Sequence, residues 1–285
     1  MNIYFSFWQS GWRKSNLNMD MWRLSFELVK KHYGNKKLYL ITDTQSMHLF
    51  KNYDFTEILP ILDGIPDFQK VWCLGKIFAY KHAVSMGPFL HLDADVFLWE
   101  PLPESLLQSE VFCQSPDKPR SFEKGLKFSP YDIDHVKKEY GKVPQDWQTL
   151  LDTNYDIQAY NVGIFGGTNL KFISEYCDYV LEMVNDSQFY DLWRGINKGY
   201  SVHACLPCML EQMNLTLFAE KKNIKINCLL DDFYDLKNKS YLKYSHLMLL
   251  KDKHYIMQRV SERVRKNPID LEVKKVSIDE WNIHV

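Results

Sequence analysis

The sequence predicts an α/β fold in which a mixed, mostly parallel, Rossmann-like central sheet is flanked by helices. Strand-like and helix-like segments alternate over residues 1–115. The apolar segment 88–101, PFLHLDADVFLWEP, is typical of a buried strand and opens onto two aspartates, Asp93 and Asp95. Hydrophobic residues make up 46% of the 285-residue chain, so the chain has enough apolar surface to bury a full core.

The elements of residues 1–115 follow from hydrophobic periodicity and from boundary signals. Predicted strands or extended segments cover 3–8, 37–41, 55–62, 88–101 and 111–114, and predicted helices cover 20–33 and 71–86. Asp20 is a suitable N-cap for the first helix, and Gly34 ends it. Gly87 and Pro88 end the second helix. This order is expected of a sheet that carries helices on both faces.

Residues 116–155 differ in character from what precedes them. They are polar, hold four prolines and show weak periodicity, which predicts a long excursion or a lid. The rest of the chain returns to regular elements, with predicted strands at 159–167 (AYNVGIFGG) and 224–230 and predicted helices at 170–184, 204–214 and 256–266. No repeat or linker interrupts the chain, so we expect a single domain over residues 1–285.

The two aspartates at the end of the 88–101 strand predict a cation site. Side chains at i and i+2 of a straight strand point to opposite faces, so the strand must end or turn at Asp93 and Asp95 if both act at one site. Burying two carboxylates costs several kcal/mol unless a positive charge compensates. A salt bridge to Lys or Arg is one solution. We favour the other, a Mg²⁺ or Mn²⁺ ion that also takes oxygens from a phosphate.

Composition narrows the classes of function. A net charge of −1 argues against nucleic-acid binding by the whole chain. No segment approaches the roughly 20 apolar residues of a membrane span, and the first residues do not form a signal peptide. Six cysteines without a leader predict free thiols and a cytoplasmic location. Aromatic residues reach 15%, and they fit a role in the core better than a role in stacking on sugars.

The 256–266 segment is amphipathic and locally basic. Ile256, Val260 and Val264 share one helical face, and arginines lie beside it. Such a helix either rests on an anionic membrane that carries a lipid-linked acceptor or docks on the protein with a solvated basic side. We favour docking, which leaves at most peripheral membrane contact.

Four motifs in order carry a resemblance to a known family. The segment HLDADVFLWEPLP, preceded by WCLGKIFAYKHA and followed by YNVGIFGGTN, resembles nucleotide-sugar glycosyltransferases of the GT-A type. It is most similar to the group whose signatures run LDxD, FNxG, DQ and a C-terminal His…Lys, and the resemblance extends from Asn2 to about Lys253. It implies a metal-dependent glycosyltransferase that moves a sugar from a nucleotide-sugar donor, a UDP-sugar, to a saccharide or lipid-linked acceptor. The setting it implies is bacterial surface-polysaccharide assembly, in the cytoplasm or at the inner face of the membrane.

The resemblance also implies roles for individual residues. Asp93, Asp95 and His246 would hold Mn²⁺ or Mg²⁺. The donor would contact Asp43, Lys76, Asp93, Lys251, Ser6 and Trp8. The catalytic positions would be Glu211, Gln212 and Asn161. Residues 1–115 would form the nucleotide-binding half, 116–155 the lid, and 156–285 the acceptor half with a closing segment.

The sequence departs from the motifs of this family at two positions, and it leaves two alternative functions open. The chain has Glu211 where the family has Asp, and either Lys251 or Lys253 occupies the place of the family's late lysine. The Glu-Gln pair leans towards retention of the anomeric configuration. A sugar nucleotidyltransferase would need a glycine-rich basic loop after the first strand, and 11–14 (GWRK) is a poor match. A non-catalytic carbohydrate-binding protein would leave the acidic pair, Lys76 and His246 without a role.

Overall fold

The computed structural model describes residues 1–9, 18–65, 71–117, 130–155, 157–194, 206–231, 244–247 and 254–265. Its strands are β1 (Asn2–Phe7), β2 (Leu38–Thr42), β3 (Glu57–Leu59), β4 (Phe89–Leu92), β5 (Val96–Leu98), β6 (Phe112–Asp117), β7 (Ala159–Gly167), β8 (Asn227–Cys228) and β9 (Tyr244–His246). Seven of them form one sheet in the order β3-β2-β1-β4-β7-β6-β8, and β5 pairs with β9 in a second, two-stranded sheet. The pairs on either side of β7 are antiparallel and the other four pairs of the large sheet are parallel. The predicted mixed, mostly parallel sheet is confirmed.

The helices cover the segments between these strands. They are α1 (Met19–Tyr33), α2 (Leu74–Ser85), α3 (Glu104–Leu107), α4 (Pro130–Tyr140), α5 (Gln145–Thr153), α6 (Leu170–Asn185), α7 (Tyr190–Arg194), α8 (Leu206–Cys208), α9 (Asn214–Lys222) and α10 (His254–Arg265). A π-helix, Met209–Met213, joins α8 to α9. Three short 3₁₀ segments are Thr44–Phe50, Ile61–Gly64 and Ser187–Phe189. The N-cap of α1 is Asn18, whose side chain accepts a hydrogen bond from the Met21 N–H, so the prediction of Asp20 as the cap is wrong by two positions.

Helices cover both faces of the large sheet, as predicted. Side chains of α2 and α6 pack with Tyr4, Phe89 and Phe165 on one face. Side chains of α1 and α10 pack with the alternate residues of β1, β2 and β4 on the other. Among the described residues the aromatic side chains mostly fill these cores, and Trp22, Trp147 and Trp193 are fully buried, so the core interpretation of the aromatic content is supported.

The central strand β4 ends where the acidic pair begins. The Val96 N–H donates to the Asp93 carbonyl at 3.0 Å, which turns the chain between β4 and β5. After the turn β5 leaves the large sheet and pairs with β9, with Val96 opposite His246. The predicted turn at the acidic pair is therefore present, and it carries His246 to the end of β4.

Strand β7 is irregular next to this turn. Its register against β6 shifts between Cys113 and Ser115, where the single residue Gln114 of β6 lies opposite three residues of β7, 162–164. The Asn161 side chain holds the irregularity, because its Oδ1 accepts the Gly163 N–H at 2.9 Å. The Gly163 carbonyl then accepts from the Asp93 N–H at 2.9 Å, so the irregular part of β7 is tied to the acidic turn.

Two later segments can be compared with what their sequence patterns predict. Residues 130–155, part of the segment with weak periodicity, hold α4 and α5, whose buried side chains include Val136 and Trp147. The amphipathic C-terminal segment is the helix α10, and Ile256 and Val260 are buried against the core beside α1. Its apolar face is occupied by the protein itself, which supports docking over membrane contact. Among the described residues no helix combines the length and apolar character that crossing a bilayer requires.

Candidate active site

Three predicted metal ligands come together at the carboxyl end of β4. Asp93, Asp95 and His246 each offer one ligand atom, and these atoms lie within 4.8 Å of one another. His246 Nε2 is 3.3 Å from Asp95 Oδ1. The side chains of Asp95 and His246 are nearly buried, at 4% and 6% exposure, whereas that of Asp93 is 23% exposed. Asp93 therefore faces the open side of the cluster.

The imidazole of His246 is held from behind by β6 and β7. Its Nδ1 lies 2.7 Å from Gln114 Oε1, which also accepts a hydrogen bond from the Tyr244 hydroxyl. A Cβ atom on Gly163 would come within 2.5 Å of His246 Cε1 and 2.8 Å of Gln114 Oε1. Any larger residue at 163 would displace the ring or the amide, so glycine is required by contact here rather than by backbone conformation.

The donor set fits a divalent cation. Two carboxylates and one imidazole nitrogen are ordinary ligands for a first-row divalent ion, and a histidine that gives its other ring nitrogen to a carbonyl is the usual supporting arrangement. The close approach of two carboxylates in a mostly buried setting also favours a cation between them. Asp93, Asp95 and His246 are thus the residues that would hold it.

Lys76, on α2, connects Asp93 of the cluster to a further carboxylate, that of Glu211. Its Nζ lies 3.0 Å from Asp93 Oδ1 and 3.1 Å from Glu211 Oε1. Burial by itself would lower the pKa of Lys76, but attraction to Asp93 and Glu211 outweighs burial and raises that pKa above its usual value. Lys76 is therefore a permanent positive charge in the site and not a solvated surface lysine.

Glu211 is the most deeply buried carboxylate of the site. It lies on the π-helix, is 0% exposed, and receives a hydrogen bond from the Tyr80 hydroxyl at 3.3 Å. Burial raises its pKa to about 7, and the nearby Asp93 adds to the rise, while Lys76 and the Tyr80 hydrogen bond oppose it. Among the described residues, its second oxygen, Oε2, has no hydrogen-bond partner, and neither does Oε1 of the neighbouring Gln212. The π-helix, a form found often at functional sites, thus places a buried carboxylate beside Lys76 and a second buried acceptor on the next residue.

Three further predicted donor-binding residues, Ser6, Trp8 and Asp43, lie at or just beyond the carboxyl ends of β1 and β2. Ser6 Oγ lies 2.9 Å from Nε2 of the buried His91, two positions before Asp93. Trp8 is buried and packs against Gly75 at the start of α2. Both carboxylate oxygens of Asp43 accept backbone N–H groups, at 2.7 Å from Gln9 and 2.8 Å from Ser46. Asp43 therefore joins the loop after β1 to the end of β2, and its contact with a donor stays a prediction.

Some residues of the site were not predicted, and two predicted lysines cannot be compared with it. Gln114 and Tyr244 support His246, and Tyr80 and Tyr176 hold the π-helix through the side chain and the carbonyl of Glu211. Tyr80 lies within the segment WCLGKIFAYKHA, but none of the four is a signature residue of the resemblance, so no local signal marks their role. Lys251 and Lys253 lie outside the described residues.

Comparison with known proteins gives a family and a distant structural likeness. A family model described as a family of unknown function, DUF6734, matches residues 1–274. No curated protein matches the chain. Among solved structures, that of the glycosyltransferase GlyE of Streptococcus pneumoniae TIGR4 aligns with a TM-score of 0.40 and 12% identity. The alignment covers 84% of this chain and 47% of the GlyE chain, so the chain spans about half the length of that protein.

Proposed function

Because this chain belongs to DUF6734, a family of unknown function, its activity has to be argued from its own site, and we propose that it is a metal-dependent glycosyltransferase. The donor is a nucleotide-sugar, a UDP-sugar in the first instance, and the cation is Mn²⁺ or Mg²⁺. The acceptor is a hydroxyl of a saccharide or of a lipid-linked saccharide. Surface-polysaccharide assembly on the cytoplasmic side of a membrane is the setting that the motif resemblance suggests.

One observation carries the proposal. Asp93, Asp95 and His246 meet at the carboxyl end of a central strand, and Lys76 forms ion pairs both with Asp93 of that cluster and with Glu211. In sheets of this kind ligands bind beyond the carboxyl ends of the strands. Carboxylates beside a fixed lysine suit a ligand that brings both a cation and phosphate oxygens, which describes the diphosphate of a nucleotide-sugar.

Charge explains how such a site would favour sugar transfer. The bond between the sugar and the diphosphate breaks with negative charge developing on the diphosphate, and a bound divalent cation would stabilise that charge. Asp95 and His246 would hold the cation. Lys76 holds Asp93 in place through an ion pair at 3.0 Å and presents a permanent positive charge in the site. Because these groups are fixed before the reaction, little reorganisation is needed when the charge appears.

The π-helix supports the sugar end of the donor. The unpartnered oxygens of Glu211 and Gln212 are buried acceptors that match the hydroxyl groups of a sugar. An ionised Glu211 would also stabilise positive charge on the reacting carbon. Asn161 accepts the Gly163 N–H and so supports the part of β7 that lies against His246.

The proposal is tested by donor binding and by turnover on the same protein. Thermal unfolding is followed with UDP, GDP and CDP, each with Mn²⁺ and with EDTA, and release of nucleotide from matching nucleotide-sugars is measured. A ligand that binds the folded state at a hundredfold excess over its dissociation constant adds about 2.7 kcal/mol of stability. We expect one nucleotide to stabilise the protein only with metal, and we expect Asp95→Asn to remove that effect while the half-exposed Asp178→Asn keeps it.

Other results would point to other functions. A sugar nucleotidyltransferase would release pyrophosphate from a nucleoside triphosphate and a sugar phosphate. A carbohydrate-binding protein would bind sugar without metal, and Asp95→Asn would leave that binding intact. If no nucleotide stabilises the protein in either condition, the transferase proposal is wrong.

A further inference from the structure

Gln114 is placed where it can control the chemistry of His246. It lies on β6 opposite the irregular part of β7 and is 0% exposed. Its amide oxygen Oε1 is 2.7 Å from His246 Nδ1 and also receives the Tyr244 hydroxyl, while its Nε2 has no hydrogen-bond partner among the described residues. Within this part of the chain the hydrogen bonds of the buried amide are therefore made by its oxygen, to the ring of His246 and to Tyr244.

This contact fixes where the proton of the imidazole lies. An amide oxygen carries lone pairs and no hydrogen, so a bond to it requires a proton on His246 Nδ1. A neutral imidazole has one N–H, so Nε2 then presents a lone pair. Nε2 is also the nitrogen that lies 3.3 Å from Asp95 Oδ1, on the side of the two aspartates. The lone pair is thus offered to a cation between His246 and the carboxylates.

We infer that Gln114 is a positioning residue that fixes the Nδ1–H tautomer of His246 and so prepares Nε2 to bind the metal. The inference rests on the proposed function only to the extent that a divalent cation binds at Asp93, Asp95 and His246. Gly163 is the other half of this support, because a Cβ at 163 would lie 2.7 Å from His246 Nδ1 and 2.8 Å from Gln114 Oε1. The bond between the ring and the amide forms only because β7 has no side chain at that point.

The affinity for Mn²⁺ alone, measured on the full chain by the electron paramagnetic resonance signal of free Mn²⁺, tests the role. Gln114→Met keeps the length of the side chain and removes the acceptor. Loss of such a supporting partner typically weakens metal binding roughly 10- to 100-fold, and we expect a loss in that range. Gln114→Glu restores an acceptor for Nδ1–H and is expected to recover most of the affinity. Gln108→Met makes the same chemical change at the end of α3 and is expected to leave the affinity unchanged.

A second measurement reads the tautomer directly and needs no metal. Nitrogen-15 NMR of the metal-free protein distinguishes a protonated Nδ1 from a protonated Nε2. We expect the Nδ1–H form of His246 in the wild type and in Gln114→Glu, and a mixture in Gln114→Met. Gly163→Ala is expected to lose both the tautomer preference and metal affinity, whereas Gly64→Ala, where an added Cβ would meet no atom within 4 Å, is expected to lose neither.

The outcomes separate this inference from the proposed function. If the wild type binds Mn²⁺ and Gln114→Met binds it equally well, Gln114 has no positioning role and the metal site stands. If Asp95→Asn binds Mn²⁺ as tightly as the wild type, the metal site itself is wrong. An Nε2–H tautomer in the wild type also overturns the inference, and this result does not depend on whether Gln114→Met folds.

Discussion

Asp93 and Asp95 are two positions apart in the chain, yet their carboxylates have different partners. Asp93 is bonded to Lys76, a permanent cation that also holds Glu211. Asp95 lies beside His246, a ring that a neutral amide and a tyrosine hold from behind. The turn after β4 directs the two carboxylates into different surroundings. Asp93 lies against the ammonium group of Lys76, and Asp95 lies against the imidazole ring of His246.

The difference indicates which aspartate is the better candidate for binding the metal and which for contacting the donor. A carboxylate that already has a lysine at 3.0 Å gains less from a second cation than one beside an imidazole lone pair. Asp95 is therefore the better candidate for the direct metal ligand. Asp93 is the better candidate for a residue that contacts the donor while Lys76 balances its charge. Stability, its pH dependence and metal affinity are expected to differ between variants in the surroundings of Asp93 and variants in the surroundings of Asp95.

The largest change in the free energy of unfolding is expected from loss of the Lys76 ion pairs. Lys76→Met leaves Asp93 and the fully buried Glu211 without their shared cation. Removing one partner of a buried ion pair typically costs about 3–5 kcal/mol, and we expect a loss of unfolding free energy in that range at pH 8. Urea unfolding measures it. Lys81→Met removes a more exposed ion pair with Asp178 from the same helix and is expected to cost less than about 1 kcal/mol.

The result would contradict the comparison if Lys76→Met were as mild as Lys81→Met. In that case Lys76 would not be neutralising the buried carboxylates, and Asp93 and Asp95 would have equivalent surroundings. Adding Glu211→Gln to Lys76→Met provides a further check, because removing the stranded negative charge is expected to restore part of the lost stability.

A smaller, pH-dependent effect is expected from Glu211 alone. Its pKa is raised from 4.5 to about 7 in the folded protein, so between these values the folded state binds more protons than the unfolded state. Stability from this group therefore falls as pH rises from about 5 to 8, by up to about 3 kcal/mol. The groups around it are Lys76, Asp93, Tyr80, Tyr176 and Cys73.

Glu211→Gln removes this dependence. Relative to the wild type, the variant is expected to gain stability between pH 5 and pH 8 in urea unfolding. Glu175→Gln is the control, because the hydrogen bond to Lys222 lowers the pKa of this exposed carboxyl, and the stability it contributes is lost only at more acidic pH. Equal pH profiles for the wild type and Glu211→Gln would mean that Glu211 is not held in a desolvated, raised-pKa state.

The residues of the site that could be predicted directly from the sequence are those that stand out from their neighbours in the chain. Asp93 and Asp95 interrupt an apolar run, and this contrast alone predicts a strand end and a cation site. His246, Lys76 and Glu211 were reached only through the order of motifs. The mostly parallel sheet followed from the alternation of strands and helices over residues 1–115.

The parts that could not be read depend on distant contacts. Gln114 acts on a residue 132 positions away, and only because β7 changes register beside it. The π-helix at Met209–Met213 has the composition of an ordinary helix, so the segment 204–214 was predicted as one. The strand predicted over 224–230 is only Asn227–Cys228 in the structure, because its pairing with β6 ends after two residues.

The smallest change in the free energy of unfolding is expected from Tyr244→Phe, in the group of residues that supports His246. The variant removes one donor to Gln114 Oε1, but Oε1 keeps the bond to His246, so no buried group loses its last partner. We expect a cost of about 0.5–1.5 kcal/mol in urea unfolding and a weaker effect on Mn²⁺ affinity than Gln114→Met produces. Tyr155→Phe, at an exposed hydroxyl, is the control and is expected to change neither. A Tyr244→Phe protein that binds Mn²⁺ as poorly as Gln114→Met would show that the tyrosine, and not the amide alone, orients His246.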